Sequence, residues 1–274
     1  MQTGYYNAAA GMVAQFNRLD TIANNLANVN TTGFKEDNNI IGDFTRVFKE
    51  ARDTLPHETN SKDGAQFLNR ALTKAPQIVE GFTDHSIGTM QSTSNSMDFA
   101  LSKEGMFFAV QTPQGVRFTR DGSFTIDDEG TLITKQGYKV LPEDYNSGGS
   151  TSISFDTADA IVEVDKDGQM YKNLPNSVQL TPASKLFIAQ PDNMKMLVKE
   201  GDNLFRYEGL ERVENVTGNG AVRQGFLEKS NVNAVKMMTQ MIETNRLVGM
   251  YQKVMSSQMD DMNNDAINKL ARKA

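Results

Sequence analysis

The chain contains no cysteine and no tryptophan, and only two of its 274 residues are histidine. Without cysteine there are no disulfides, no thiolate metal sites and no cysteine nucleophile. His57 and His85 stand in polar stretches, and neither belongs to an H-x-x-x-H or H-E-x-x-H motif. We therefore expect both histidines at the surface, and we expect no catalytic residue, no bound metal and no cofactor.

Long apolar runs are also missing. No stretch approaches the roughly 18 apolar residues of a membrane span. The N-terminus has neither the basic region nor the continuous apolar region of a signal peptide. We expect no membrane span and, if the protein leaves the cytoplasm, export without a cleaved signal peptide.

Charge is distributed unevenly. Residues 1–34 contain one Arg and one Asp, whereas residues 35–227 contain 20 basic and 28 acidic residues. An acidic centre argues against a nucleic-acid partner, because binding to phosphates requires a basic face. A first segment almost without charge is unusual for a solvent-facing helix and indicates burial against other protein.

The N-terminal segment has the apolar spacing of a helix. Alternating steps of four and three predict a helix from about residue 4 to 28 that packs against another helix. Gly33 is interpreted as a stop and Phe34 as the entrance to the next domain. The predicted seam consists of Tyr5, Ala9, Met12, Phe16, Leu19, Ala23 and Leu26.

The C-terminal segment repeats this spacing. It predicts a helix of about 35–40 residues, a length that suits a coiled coil or bundle. Ser230 is the predicted N-cap, with Asn231 and Asn233 as alternatives. The predicted seam consists of Met238, Met241, Asn245, Val248, Gln252, Met255, Met259, Met262 and Ala266.

The central pattern is that of strands. Short runs such as MFFAVQ, VRFTR and SFTI are separated by the turn sequences TPQG, DG and DDEG. Strands recurring about every eight to twelve residues predict an antiparallel sandwich or barrel. A short helix near Phe44–Arg52 and a loop over Asp53–Gly64 are expected before this region.

The predicted fold class is α+β. Residues 1–35 and 228–274 would form a discontinuous, coiled-coil-like helical core domain from both termini. Residues 36–75 would form an extended linker with a short helix, and 76–227 a central all-β antiparallel outer domain. One antiparallel helix pair covers only part of each apolar stripe, so the N-terminal helix would keep a broad face for partners.

Four segments resemble the signatures of flagellar basal-body rod and hook proteins. The first two are AAGMVAQFNRLDTIANNLANVNTTGFK (Ala9–Lys35) and LEKSNVNAVKMMTQMIETNRLVGMYQKVM (Leu227–Met255). The other two are FTRDGSFTIDDEGTLITKQGYKVL (Phe118–Leu141) and GDNLFR (Gly201–Arg206). Their joint occurrence in this order is specific, although residues 36–95 and most of 142–195 match weakly.

The resemblance implies a structural, non-enzymatic subunit that polymerises helically into a tube and transmits torque through the periplasm. Its partners would be further copies, other rod subunits and the flagellar type III export apparatus, and its termini would be unfolded before assembly. Within the family, GMYQKVM (Gly249–Met255) favours the proximal-rod type. The distal-rod type is the alternative, although its Arg-Gln-Pro-Gly-like stretch is absent.

In this interpretation the helix seams bury each other between neighbouring subunits. The interface residues are Met12, Phe16, Leu19, Ala23, Leu26, Met238, Met241, Val248, Met255, Met259 and Met262. The register or turn residues are Asn24, Asn25, Asn28, Gly33, Phe34, Asn231 and Asn233. Two alternatives remain: the apolar seam could form an ordinary intrachain core, and the asparagines could be only caps and turns.

Two other function classes remain open. A hydrolase that cuts the cell wall would need only a pair of carboxylates, which any sequence supplies. A secreted coiled-coil scaffold outside the flagellum would use the same helices. Neither has a specific motif in its favour.

Overall fold

In the computed structural model the fold is α+β, with two long helices and many antiparallel strands. The expected short helix, the expected loop and His57 lie outside the described residues. The structure describes residues 2–43, 76–155, 161–173, 181–209, 213, 215–216 and 220–271.

The chain divides into two compact units. The helical unit comprises Met1–Ala27, Asp37–Phe82 and Asn233–Ala274. The β unit comprises Asn28–Glu36 and Thr83–Val232. Both units are therefore assembled from separate stretches of the sequence.

The helical unit contains α1 (Gln2–Ala27), β1 (Asp37–Asp43), β2 (Pro76–Thr83) and α2 (Ala234–Ala271). The first helix was predicted to end at about residue 28, and α2 has 38 residues, so both helix predictions are confirmed. Strands β1 and β2 form a two-stranded sheet.

The two helices pack against each other in an antiparallel arrangement. The Tyr251 ring covers Gly11 so closely that a Cβ at Gly11 would lie 2.6 Å from it. Three neighbouring pairs share one register, in which the two residue numbers add up to 262: Gly4 with Gln258, Gly11 with Tyr251, and Asn25 with Met237.

The buried face of α1 lies one residue before the predicted seam. This corrects the expectation that the large apolar residues of both seams pack on each other within the chain. The small residues on the buried face let α2 approach closely, and the larger seam residues are turned by about 100°, the angle per residue of an α-helix. The buried residues are Ala8, Gly11, Ala14, Gln15, Ile22 and Asn25.

The buried face of α2 agrees with half of its predicted seam. Met237, Thr244 and Val248 are buried. Val248 is a predicted seam residue, whereas Met237 and Thr244 each lie one residue before a predicted seam residue. Met238 is exposed, for example, and its neighbour Met237 faces Asn25.

The β unit contains fifteen strands in the described residues. They are β3 (Met90–Ser92), β4 (Phe99–Leu101), β5 (Phe107–Thr112), β6 (Gly115–Thr119), β7 (Phe124–Ile126), β8 (Leu132–Thr134), β9 (Lys139–Val140), β10 (Ile161–Val164), β11 (Gln169–Asn173), β12 (Thr181–Lys185), β13 (Ile188–Ala189), β14 (Leu197–Gly201), β15 (Leu204–Tyr207), β16 (Val222–Gln224) and β17 (Phe226–Glu228).

The largest sheet has eight strands in the order β14-β15-β6-β5-β9-β8-β7, with β13 paired to β5. A second sheet has the order β10-β11-β12, and two short pairs join β16 to β4 and β17 to β3. The described pairs of this unit are antiparallel, which confirms the prediction of an antiparallel β region at the centre of the chain.

Apolar side chains fill both faces of the large sheet. Successive residues of a strand point to opposite faces. In β5, Phe107 and Ala109 belong to one buried cluster, and Phe108 and Val110 belong to the other. The β unit therefore has a complete hydrophobic core of its own.

Candidate functional site

A group of buried charged and polar side chains lies in the β unit where the chain enters and leaves it. Lys35 precedes β1, Arg120 follows β6, Glu228 ends β17 and Asn231 precedes α2. We call these four residues the clasp. They bring together parts of the sequence that are almost 200 residues apart.

Lys35 and Glu228 form the centre of the clasp. Lys35 Nζ lies 2.5 Å from Glu228 Oε1, and both side chains are buried. The same ammonium group donates to the carbonyl oxygen of Ser86 at 2.6 Å, and the N–H of Gly88 donates to Glu228 Oε1 at 2.9 Å. The salt bridge therefore joins the segment after α1 to the segment before α2.

Arg120 is the second cation of the clasp. Its Nε lies 3.0 Å from Glu228 Oε2, and its side chain is fully buried. Nη1 donates to the carbonyl oxygens of Met106 at 2.7 Å and Lys103 at 3.0 Å. The guanidinium also lies 5.9 Å from the centre of the Phe107 ring, so backbone and aromatic contacts hold it in place.

Burial opposes the charge of both cations. It is the main cause that lowers the pKa of Lys35, and the charge of Glu228 counteracts it. Burial likewise lowers the pKa of Arg120, again opposed by Glu228. One carboxylate thus supplies the main opposing charge for two buried cations, and removing its charge would leave Lys35 with Asp84 and Arg120 with Glu104 as the remaining opposing charges.

His85 lies beside the clasp and packs against two aromatic rings, which also pack against each other. Its ring centre is 5.6 Å from those of Phe107 and Phe205. Burial, followed by the positive charge of Lys35 and other nearby cations, lowers the pKa of His85 to about 4. His85 is thus half-buried rather than fully exposed at the surface, and its imidazole is neutral at pH 7.

Asn231 links three stretches of the β unit through its amide group. Its Oδ1 accepts a hydrogen bond from the N–H of Glu36 at 2.8 Å. Its Nδ2 donates to the carbonyl oxygen of Asp84 at 2.9 Å and to Ser86 Oγ at 3.1 Å. Both the oxygen and the nitrogen of this predicted register residue's amide thus have hydrogen-bond partners within the chain.

Gly33 lies against the backbone next to Arg120. Its φ is +69°, and a Cβ would come within 2.4 Å of the Asp121 nitrogen. Its N–H donates to the carbonyl oxygen of Glu228 at 2.8 Å. Helix α1 already ends at Ala27, so Gly33 is not a helix stop but a point of close backbone approach.

The remaining register or turn residues have different surroundings. In the helical unit, Asn25 pairs with the backbone of Asp37, since Nδ2 donates to its oxygen at 2.7 Å and Oδ1 accepts from its N–H at 2.9 Å. Asn233 Oδ1 accepts from the N–H of Lys236 at 3.1 Å and caps α2. Asn24 is exposed.

The last two predicted register or turn residues, Asn28 and Phe34, lie in the first segment of the β unit. Asn28 Oδ1 accepts a hydrogen bond from Thr31 Oγ1 at 3.1 Å. Phe34 is buried, and Lys199 Nζ lies 4.1 Å from the centre of its ring. Both residues therefore have partners inside the β unit.

The predicted interface residues are mostly outside the core of the helical unit. Val248 is buried, whereas Phe16, Ala23, Met238 and Met259 are exposed. The others are half-buried: Met12, Leu19, Leu26, Met241, Met255 and Met262. The two helices thus leave much of the predicted seam accessible.

Three residues of the clasp were missed by reasoning from the sequence. Lys35, Arg120 and Glu228 each stand inside a segment that carries the family resemblance. Their charge suggested solvent exposure, because unpaired charges are rarely buried. The only available signal was their position at the ends of apolar or turn-rich stretches, which does not identify partners.

The part of the chain that the structure describes contains neither a membrane-spanning helix nor a metal site. None of its helices has the length and apolar character needed to cross a membrane. No group of three or more His, Asp or Glu residues there is arranged to hold a metal ion.

Three family models match this sequence in the order expected for one protein. The N-terminal match, over residues 6–35, is to "Flagella basal body rod protein". Residues 103–172 match "Flagellar hook protein FlgE/F/G D1 domain", and residues 223–269 match "Flagellar basal body rod FlgEFG protein C-terminal". These matches include Lys35 and Glu228 together with Arg120.

Curated relatives extend this similarity over most of the chain. The flagellar basal-body rod protein FlgG of Buchnera aphidicola subsp. Acyrthosiphon pisum is 32% identical, with 86% of this chain and 88% of the relative covered. The rod protein FlgF of Caulobacter vibrioides is 31% identical, with 99% of both chains covered. FlgG of Bacillus subtilis is 32% identical, with 90% and 91% covered. The chain therefore belongs to the family of flagellar basal-body rod and hook proteins.

Proposed function

We propose that this protein is a structural subunit of the bacterial flagellar basal-body rod, which polymerises helically into the shaft that carries torque across the periplasm. The observation that carries this proposal is the large apolar surface that remains on the helical unit. The exposed apolar residues of α1 and α2 include Val13, Phe16, Val235, Met238, Ile242, Met250, Val254 and Met259.

These side chains favour association between helices of neighbouring subunits. A helix that is apolar on more than one face is normally surrounded by other protein. α1 buries the side that carries Ala8 and Gly11, while Val13 and Phe16 lie on the other side. Contacts of this kind that do not close on themselves produce a filament.

The near absence of charge on α1 supports the same assignment. Arg18 and Asp20 are its only charged residues, so little desolvation of charge opposes its burial. We propose that the seams of α1 and α2 complete a coiled-coil-like packing only in the assembled rod. The functional division would then be a helical core from 1–35 and 228–274, a linker over 36–75, and an outer β domain over 76–227.

We further propose that the protein reaches the periplasm through the flagellar type III export apparatus without a cleaved signal peptide. Isolated helices gain little stability in water without tertiary contacts. The helical unit would therefore be largely unfolded in the monomer and fold on assembly. Limited proteolysis of purified monomer should remove both ends and leave a resistant β unit, whereas protected, helical ends at low concentration would contradict this coupling.

The proximal rod is the proposed position, and the distal rod is the alternative. Relatives named FlgF and FlgG match at nearly the same identity, so the choice depends on the segment Gly249–Met255. Basal bodies from a deletion strain would test it. Loss of the distal rod and hook with the export gate and ring retained supports the proximal position, and normal flagella would overturn the rod assignment.

The role of the apolar face can be tested in that deletion strain. Phe16→Asp should abolish rod assembly, because it places a charge on a face that becomes buried. Asn17→Asp is a matched control, since the neighbouring Asn17 is also exposed and already polar. Motility and images of isolated basal bodies would be compared, and equal assembly of both variants would contradict the proposed interface.

We propose no catalytic activity for this chain. A peptidoglycan zymogram with purified protein checks this point. Clearing that disappears on substitution of a single Asp or Glu would instead indicate a hydrolase.

A further inference from the structure

The three segments at which the chain enters or leaves the β unit are joined to one another by hydrogen bonds. The N–H of Asp84 donates to the carbonyl oxygen of Glu36 at 2.8 Å, and Asn231 bonds to both residues. Lys35 adds its contacts with Ser86 and Glu228. The segment that follows α1 and the segment that precedes α2 are therefore bonded to each other within the β unit.

The numbering of these contacts continues the register of the helix pair. In the helical unit, paired residues have numbers that add up to 262, as in Asn25 with Met237. In the β unit, Gly33 bonds to Glu228, and these numbers add up to 261. Gly33 lies eight residues after Asn25, and Met237 lies nine residues after Glu228. The two segments between these paired positions, which we call the connectors, therefore have nearly equal length.

The apolar spacing of the helices does not by itself specify one register. The predicted seam residues of both helices recur every seven residues, so a shift by one heptad again brings seam residues to equivalent positions. Such a shift moves α2 by about 10 Å along α1, at 1.5 Å per residue. In the described structure, the contacts that such a shift would break include those of Gly11 with Tyr251 and of Asn25 with Met237.

We propose that the clasp sets the register of α1 against α2. It fixes the starting points of two connectors of matched length, so that a shift by seven residues would stretch one connector beyond its reach. Lys35, Arg120, Glu228 and Asn231 act as positioning residues for a helix pair that they do not belong to. This inference concerns the single chain and does not depend on the rod assignment.

Engineered cysteines can measure the register, because the natural chain has none. Two positions on α1, Gly4 and Gly11, are combined with two on α2, Tyr251 and Gln258, each changed to Cys. The pairs 4–258 and 11–251 report the observed register. The pairs 4–251 and 11–258, whose numbers add up to 255 and 269, report shifts of one heptad in either direction. The 11–258 variant also carries Tyr251→Ala, because the Tyr251 ring would otherwise collide with the new Cβ at position 11.

The experiment compares initial rates of a short thiol crosslinker in the full-length monomer. With an intact clasp, the pairs in register should react about tenfold faster than the shifted pairs, a preference of about 1.4 kcal/mol. Because the helical unit is proposed to be largely unfolded in the monomer, the rates are measured in a stabilising osmolyte, and circular dichroism checks that α1 and α2 are helical. In Glu228→Gln and Asn231→Ala the ratio of rates should fall to about one.

Two further variants make the result decisive. Glu200→Gln removes another carboxylate of the β unit, one that pairs with Arg117 and Arg206, and should leave the preference intact. A Gly-Ser insertion after Asn30 lengthens one connector without removing a clasp side chain, and should abolish it. Circular dichroism and protease resistance confirm that the β unit is folded. A preference that survives in the folded insertion and clasp variants overturns the proposal.

Discussion

Phe108 and Phe16 show how differently the two units treat the same side chain. Phe108 in β5 is 0% exposed and packs at 5.2 Å against the Phe124 ring, whereas Phe16 in α1 is 43% exposed. The β unit has two buried clusters on its main sheet, whereas in the described part of the helical unit α1 packs against α2 and β1. The β unit thus has a core of its own, and the helical unit exposes apolar side chains.

Under the proposed function, stability and assembly would belong to different parts of the chain. Burial of apolar surface is the main favourable contribution to folding, at about 25 cal/mol per Å². The β unit obtains this contribution within one chain. The helical unit would obtain much of it only from neighbouring subunits, so a substitution should affect monomer stability in one unit and polymerisation in the other.

The largest expected effect separates the two phenylalanines. Phe108→Ala should lower the free energy of unfolding of the β unit by about 3–5 kcal/mol, because it leaves a cavity in a close-packed core. Phe16→Ala should change it by less than about 0.5 kcal/mol, as an exposed substitution. Urea unfolding followed by the β signal in circular dichroism measures both. Similar losses in the two variants would show that the units are not energetically distinct.

The second effect is the pH dependence of the β unit. The folded pKa of His85 is about 4, below its ordinary 6.5. As pH falls from 6.5 to about 4, the unfolded chain binds a proton that the folded one does not, so the free energy of unfolding decreases. The decrease is at most about 3 kcal/mol, at 1.36 kcal/mol per pH unit, and it stops below pH 4.

His85→Gln isolates this contribution from the carboxylates that titrate in the same range. Wild type should lose more stability than the variant between pH 7 and pH 4. Urea unfolding at each pH measures the difference. Parallel curves for the two proteins would mean that His85 is not held neutral by its surroundings.

A smaller effect is expected where the chain enters the β unit. Gly33→Ala should destabilise the β unit by about 1–3 kcal/mol, because a Cβ is strained at φ +69°. It would also collide with the Asp121 nitrogen. Gly137→Ala is the control: φ is +85°, but nothing lies within 4 Å of its Cβ position. Thermal unfolding should show the larger loss for Gly33→Ala, and equal losses would leave only the backbone angle as the cause.

The smallest expected effect concerns the start of α2. Asn233→Ala removes the hydrogen bond to the N–H of Lys236 and should cost about 1 kcal/mol of helix stability. Asn233→Ser keeps a cap and should cost less. Helical circular dichroism of assembled protein, followed during thermal disassembly, measures it. Because Asn233 belongs to the helical unit, the change should be absent from the unfolding of the β unit.

The elements of both units could largely be predicted from the sequence. Their periodicity is local: steps of three and four predicted α1 and α2, and runs such as MFFAVQ between turn sequences predicted β5 and its neighbours. The face of α1 could not be predicted in this way. The large seam residues dominated the pattern, although small Gly11 allowed the closest approach of Tyr251.

The clasp could not be predicted either. Lys35 and Glu228 are separated by 193 positions, and no rule of local spacing links a lysine to a distant glutamate. The surroundings of His85 could not be predicted for the same reason, since its polar neighbours in sequence suggested exposure while its ring packs against Phe107 and Phe205. Burial and charge pairing are properties of the folded chain.

The sequence by itself therefore determined the two terminal helices, the antiparallel β region between them and the family to which they belong. These follow from backbone hydrogen bonding and from apolar periodicity, which act over a few residues. The tertiary structure decided which helix face is buried, that Gly33 meets the backbone of Asp121, and that one carboxylate holds Lys35 and Arg120. Those outcomes depend on close packing and on charges removed from water, which only the folded chain brings together.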